Sequence, residues 1–344
     1  MKILVFNPSF IGDSILTTPL IKALKHFYPD SKIDFCVRPE SAPLFKNLKF
    51  IDEVIIFDKR KTEKGVRNLF RFAKKLKEKN FDLIISCHKS LRSTLINYFA
   101  NPNKSISFKE STLSFLYTKT INRDMSLHEV ERNLLLLKPL LKNINFQEIK
   151  KIAGKPEVSY DDILYIKIKK FLKASFPNRK IVGIAPASVW PTKMWPAEYF
   201  SKLIEKLYKN NYIPIIFASK NEIPVVNKIK TYTSTPFINL AGKTSILELS
   251  TWIKSVDLLI SNDSAPLHIS VAHNKPVVAI FGPTVKELGF YPYDDKSIVV
   301  ENKGLDCRPC GLHGGKKCPK KHFKCMLDIS PEEVYNAFLK VING

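Results

Sequence analysis

Short, predominantly apolar runs, most of them followed by a helix-patterned stretch, recur along this chain and constrain its fold more than any other feature. In the first half they are ILVF (3–6), KIDFCV (32–37), EVIIF (53–57) and DLIIS (82–86), with a helix expected from about Ser14 to His26 and a basic helix within 59–79. Strands apolar on both faces and separated by helices belong to parallel sheets covered on both sides. The pattern loosens over 143–162, where Gly154 and Pro156 act as breakers, and reads as an interdomain connection. It restarts as KIVGIA (180–185), IPIIFA (213–218), PFINL (236–240), DLLIS (257–261) and PVVAIF (276–281), with helices after Pro196, near 245–254 and after Ser264. A chain of 344 residues is longer than one ordinary core sustains. The expectation is α/β: a Rossmann-like doubly wound domain over 1–155, a second over 156–329, and a C-terminal helix over 330–344 capped by Ser330 and opened by Pro331. Two such units are expected to leave a cleft, with ligands beyond the carboxyl ends of the strands.

The 44% hydrophobic and 11% aromatic content exclude a disordered chain. No apolar run approaches the ~18 residues that span a bilayer. The opening MKILVFNPSF is too short and too soon polar for a signal peptide, so a cytoplasmic protein is expected. Lys and Arg number 55 against 32 Asp and Glu, a net charge of +23 that favours polyanionic partners: nucleic acid, anionic lipid or phosphorylated sugars. Much of the excess lies in 59–79 and 302–325. In the first stretch Val66, Leu69, Phe70, Ala73 and Leu76 recur at helical spacing, giving an amphipathic helix with a basic outer face. That face reads either as a solvated surface or as an attachment to an anionic membrane. The basic stretches lack the aromatic and glycine interleaving of RNA-binding modules, and no finger spacing recurs, so a metal-clasped nucleic-acid-binding protein is the weaker alternative.

Four strand-end loops carry the candidate chemistry. In NPSFIGDSILTTPLIKALK (7–25) Asp13 stands where a strand meets a helix, either as a cap or as a general base. Neither G-x-G-x-x-G nor G-x-x-x-x-G-K-[ST] is present, which argues against a dinucleotide or P-loop enzyme. In APASVWPTKMWPAEYFSKL (185–203) Lys193 precedes the helix opened by Pro196; a lysine beside a helix N-terminus suits a pyrophosphate. Trp190 and Trp195 read as packing residues of that loop. After FASKNE (217–222), Glu222 either accepts from ribose hydroxyls or opens the next helix. The last loop, VDLLISNDSAPLHISVAHNKPVVAIFGPT (256–284), places Asp263, Ser264 and Ala265 at a helix start, His268 one turn on, and Thr284 at the following strand end.

Four of the six cysteines, Cys307, Cys310, Cys318 and Cys325, form C-x2-C-x7-C-x6-C, with His313 and His322 interspersed. In a reducing compartment such density fits a tetrahedral zinc or iron site better than disulfides; free thiols are the alternative. Cys36 and Cys87 read as buried core residues.

Taken in order, GDSILTTPLIKALK, the K-x-WP-x-E segment, the strand-end Glu and NDSAPLHISVAHNKPVVAIFGPT resemble the successive motifs of glycosyltransferase family nine, the ADP-heptose:lipopolysaccharide heptosyltransferases, of the heptosyltransferase II type. The resemblance covers nearly the whole chain and implies the two-lobed GT-B fold. It implies Asp13 as catalytic base, Lys193 on the donor phosphates, and Glu222 on the adenosine ribose. Asp263, Ser264, Ala265 and His268 then hold the donor's pyrophosphate and heptose, with Thr284 nearby; Ala265 stands where the family often has Gly. The implied donor is ADP-L-glycero-β-D-manno-heptose and the acceptor Kdo- or heptose-bearing lipid A at the inner face of the inner membrane. Acceptor contacts are assigned by charge and position to Arg60, Lys89 and Arg92. HEVERN (128–133) is a further segment that recurs in the family. With no D-x-D motif, inverting transfer without a catalytic cation is expected, any zinc or iron being structural. Similar cysteine clusters occur in part of this family, including a protein-modifying branch, so a protein-modifying, autotransporter-type heptosyltransferase is the closest rival. No nucleic-acid partner is expected, and the oligomeric state stays open.

Overall fold

Apolar patterning becomes two all-parallel sheets in the computed structural model, which describes residues 1–343. The first contains β1 (Lys2–Phe6), β2 (Lys32–Val37), β3 (Glu53–Ile56), β4 (Leu83–Ser86), β5 (Lys104–Phe108) and β6 (Lys119–Ile121), in the order β3-β2-β1-β4-β5-β6. The second contains β7 (Ile181–Ala185), β8 (Ile213–Ile216), β9 (Ile238–Asn239), β10 (Leu258–Asn262), β11 (Val277–Phe281) and β12 (Ile298–Glu301), in the order β12-β11-β10-β7-β8-β9. Each sheet therefore has its first strand between its second and its fourth, the Rossmann order. The strand order reverses beside β1 and again beside β7, and the loops beyond those carboxyl ends are where such sheets bind ligands.

The chain divides after Ser159 rather than at 155, and the helix Pro331–Asn343 belongs to the second unit. Part of the segment read as a connection is the helix Phe146–Ala153, capped by Asn145, whose side chain accepts from Gln147 N at 2.8 Å. Its Ile149 and Ala153 are buried, and it packs on the helix Thr18–Phe27. The expected single helix from Ser14 to His26 is two helices, Ile11–Ile15 and Thr18–Phe27. Pro19 has no N–H to offer Ile15 O, and Thr18 Oγ1 donates to that oxygen instead at 2.8 Å.

In the second unit Trp195 is a core residue, its indole N–H donating to Ile329 O at 2.9 Å. Val334 and Phe338 of the helix Pro331–Asn343 join the same core. The final residue of the expected C-terminal segment, Gly344, lies outside the described residues.

Candidate active site

Asp13 lies in the short helix Ile11–Ile15, directly beyond β1. Asn7 braces this turn, donating to Thr17 Oγ1 at 2.7 Å, and Ser14 Oγ donates back to Asn7 O at 3.3 Å. Asp13 is only partly covered, yet desolvation of its carboxyl is the largest influence on it and raises its pKa above 3.8. Backbone hydrogen bonds and the charges of Arg123 and Arg38 pull the other way. A carboxylate raised in this manner holds a proton more strongly than an ordinary aspartate and is to that extent the stronger base.

The backdrop to Asp13 comes from HEVERN. His128 caps the helix Glu129–Leu135, its Nδ1 accepting from Val130 N at 3.1 Å while Glu131 accepts from His128 N at 3.4 Å. This capping box sets Glu129 beneath Arg123 and Arg132, both of which donate to Glu129 Oε2. Burial raises the pKa of Glu129, Arg123 lowers it, and Asp13 raises it. Periodicity alone indicated only that a helix begins there.

Of the three cations assigned to an acceptor, Arg60 is exposed and stands 3.9 Å from Glu40, whereas Arg92 Nη1 donates to Glu63 O at 3.2 Å. Lys89 is half-buried, its pKa lowered by desolvation and next by Arg123. Sequence reasoning missed Arg38, Lys59 and Arg123. Arg38 Nε donates to Pro8 O at 2.9 Å, and its guanidinium lies over the Phe10 ring, 4.7 Å from the centroid. The pKa of Lys59 is lowered by burial and then by Arg38, Arg60 and Arg92. Burial, Lys59, Arg38 and Lys89 together push His88 down to about 4. Cations that depress one another mark a place where a bound anion relieves repulsion. The signal was available: Arg38 follows β2, Lys59 follows β3, and His88 and Lys89 follow β4, so all lie just past a strand's carboxyl end.

In the second unit the structure brings Lys193, Asp263 and Thr284 together. Lys193 Nζ donates to Asp263 Oδ2 at 2.5 Å, and Thr284 Oγ1 donates to the same oxygen at 2.6 Å. All three residues are buried. Asn262 ties their loops, donating to Pro186 O at 2.7 Å and accepting from Trp195 N at 3.2 Å. Ser264 is the N-cap of the helix Ala265–Ala272 and makes no side-chain cap; Pro266 has no N–H and Leu267 N donates to Ser264 O at 3.1 Å, so the amide of Ala265 is the one of the first three not spent in this way. His268 is buried in that helix, its Nδ1 without a hydrogen-bond partner; desolvation pushes its pKa down to about 4, so the ring is neutral at pH 7. Glu222 forms a capping box, its Oε2 accepting from Ser219 N at 2.7 Å, so one of its oxygens serves the helix start.

The cysteine-rich segment lies against this cluster. Arg308, which sequence reasoning also missed, donates to Phe281 O (3.3 Å) and Thr284 O (2.8 Å), to Gly282 O and Asn302 O, and to Glu301 Oε2 at 2.8 Å. Cys310 N donates to Pro283 O at 2.8 Å. Cys310, Cys318 and Cys325 line a cavity of about 40 Å³ together with Thr192, Pro283 and Phe323. Burial raises the Cys310 thiol, with Cys307 and Cys318 adding to it; burial, then Cys310 and Cys318, push Cys325 up to about 11. Among the described residues no three His, Cys, Asp or Glu side chains stand in an arrangement that holds a metal ion. Cys36 and Cys87 are buried in the first unit.

Two Rossmann-ordered units, one with a strand-end carboxylate among cations and the other with the buried Lys193–Asp263–Thr284 cluster at its strand ends, make this a protein of the GT-B fold class. The glycosyltransferase family 9 (heptosyltransferase) model matches residues 69–322, and the chain belongs to that family. It is 28% identical over 346 residues to lipooligosaccharide heptosyltransferase 2 of Campylobacter jejuni, covering 99% of both chains. Among solved structures it is similar to a family 9 glycosyl transferase from Veillonella parvula, with a TM-score of 0.87, 21% identity, and coverage of 99% and 97%. The ADP-heptose lps heptosyltransferase II of E. coli gives a TM-score of 0.80 at 22% identity, covering 100% of this chain and 99% of that one.

Proposed function

We propose that this glycosyltransferase moves heptose, with inversion, from ADP-L-glycero-β-D-manno-heptose to the inner core of lipopolysaccharide or lipooligosaccharide. The observation that carries the proposal is the Lys193–Asp263–Thr284 cluster beside the uncapped helix Ala265–Ala272, in a chain collinear with lipooligosaccharide heptosyltransferase 2 of C. jejuni. In this reading Lys193, Thr284 and the amides of Ser264 and Ala265 receive the donor diphosphate, and Asp263 holds the Lys193 and Thr284 side chains in place for it. His268 offers a neutral ring to the sugar, and Glu222 keeps Oε1 for a ribose hydroxyl. Asp13 takes the proton of the acceptor hydroxyl as it attacks the anomeric carbon, and ADP departs with the bonding pair. Lys193 and the helix dipole stabilise the leaving charge, so turnover is expected to persist in EDTA. Arg38, Lys59, Arg60, Lys89 and Arg92 receive the acceptor's carboxylates and phosphates.

The membrane is the proposed location. The helix Val66–Glu78 presents Arg67, Arg71, Lys74 and Lys75 beside exposed Val66 and Phe70, and Phe70 meets exposed Phe99 of the helix Leu91–Phe99 at 4.8 Å between ring centroids. Apolar rings flanked by cations suit an anionic bilayer surface. No helix among the described residues is long and apolar enough to cross a membrane. The four clustered cysteines supply a soft donor set that suits structural zinc or iron once the thiols draw together and lose their protons.

The test is ADP release from ADP-L-glycero-β-D-manno-heptose with Kdo-lipid A and heptosylated Kdo-lipid A as parallel acceptors. Turnover that depends on Asp13 supports donor, base and acceptor class together. Donor binding without turnover on either acceptor overturns the lipid assignment and points to a protein or another glycan. Failure to bind the nucleotide sugar overturns the whole reading.

A further inference from the structure

The buried ion pair in the second unit poses an electrostatic problem. Lys193 and Asp263 neutralise one another at 2.5 Å, so the pair brings no net charge to a diphosphate carrying two or more negative charges. Helix amides supply part of the deficit. Further donors have to come from whatever else borders Lys193, and what borders it is the cysteine-rich segment.

The contact is specific. Thr192 N and Oγ1 both donate to Gly315 O, at 3.2 and 2.9 Å, and Gly315 N lies 2.7 Å from Thr192 Oγ1. Gly314 has φ +73°, and a Cβ there would stand 2.9 Å from Thr192 Oγ1, 3.2 Å from Pro283 Cγ and 3.4 Å from Lys193 Cγ. The segment thus approaches the Lys193 stem as closely as its backbone allows, and only glycine combines that approach with a left-handed conformation. Immediately before this contact, His313 stacks on Trp190 with ring planes 8° apart and centroids separated by 6.5 Å. His313 is exposed, but Lys193 lies near enough to lower its pKa and Asp263 near enough to raise it, after desolvation.

We infer that the cysteine-rich loop forms one wall of the nucleotide-diphosphate site, and that His313, held on Trp190, donates a hydrogen bond to the diphosphate. The inference rests on the reading of Lys193, Asp263 and the helix Ala265–Ala272 as that site. It gives the four cysteines a task beyond local stability: by gathering the loop they fix where His313 and Gly314 stand relative to Lys193. His313 is a binding residue, whereas Gly314 and Gly315 are positioning residues that act through Thr192 and Lys193.

The experiment uses the full chain with ADP as probe. Calorimetric titration compares wild type, His313→Ala and His313→Gln. Losing one hydrogen bond to a charged group is expected to weaken ADP about tenfold or more in His313→Ala. His313→Gln, which keeps an N–H donor, should recover most of that affinity. Thermal unfolding is followed in parallel, and both variants are expected to melt with the wild type, since His313 is exposed. As an independent readout, ADP should slow tryptic cleavage after Lys316 and Lys317 in the wild type, because a loop that walls the site is held by its ligand. Wild type that binds ADP, with His313→Ala binding equally well and cleavage unaffected by ADP, overturns the inference while sparing the donor site. Wild type that fails to bind ADP overturns the donor-site reading itself.

Discussion

Lys193 Nζ and Asp263 Oδ2 meet at 2.5 Å across β7 and β10, the adjacent strands at which the second sheet reverses order. Removing one partner strands the other charge in a buried setting, which typically costs about 3–5 kcal/mol. Lys193→Met should therefore lower both stability in urea and ADP affinity. The double variant Lys193→Met/Asp263→Asn should regain most of the stability and little of the affinity. Urea denaturation and calorimetry separate the two. A single variant as stable as wild type would show that water reaches the pair.

Asp13→Asn should leave ADP affinity unchanged and lower kcat by about 10²–10⁴, the usual contribution of a positioned general base. Because burial raises the Asp13 pKa above 3.8, the acid limb of the kcat profile should lie above the ordinary carboxylate range. Activity rises as pH climbs through that value and Asp13 loses its proton. An acid limb unchanged in Asp13→Asn would assign it to another group.

Acid should unfold the second unit through its neutral histidines. His268 is pushed down to about 4 and His273 to about 3, both chiefly by desolvation, against 6.5 for the ordinary side chain. A histidine with a depressed pKa binds fewer protons folded than unfolded, so its contribution is intact above pH 6.5 and is lost as pH falls toward the folded value. His273, whose Nε2 lies 2.8 Å from Ser250 Oγ, is the residue to change. His273→Gln should flatten the fall in Tm between pH 6.5 and 4, with roughly 3 kcal/mol as the ceiling of the effect. A wild-type Tm unchanged across that window would sink the idea.

Binding to anionic vesicles should require both halves of the Val66–Phe70–Phe99 surface. Phe70→Ser/Phe99→Ser should weaken sedimentation with phosphatidylglycerol vesicles at all salt concentrations. Arg67→Gln/Arg71→Gln should weaken it at low salt most of all, since surface charge is screened within about 10 Å at 0.1 M. Equal binding to neutral and anionic vesicles would remove the electrostatic component.

The long apolar strands were legible because burial on both faces leaves no polar position to confuse the pattern, as in VVAIF of β11. The strands missed were β5, where KSISF alternates, and the edge strands β6 and β12, whose residues are half-exposed or exposed. The split after Ile15 escaped notice because the hydroxyl of Thr18, rather than a gap in apolar spacing, accommodates Pro19. Lys193, Asp263 and Thr284 were each found by position at a strand end, but their convergence on one carboxylate oxygen is a tertiary fact that no local pattern encodes. Arg308 was hidden for the same reason: within a basic run it resembles a solvated cation, and only folding places backbone carbonyls around it.

Both sheets repeat one strand order, and the chain passes from one unit to the other after Ser159. A genetic exchange at codons near that junction would move one whole sheet with all of its strand-end loops, without cutting either core. On the proposed assignment of donor and acceptor to separate halves, replacing one half would change the glycan extended and leave the sugar donor as it was.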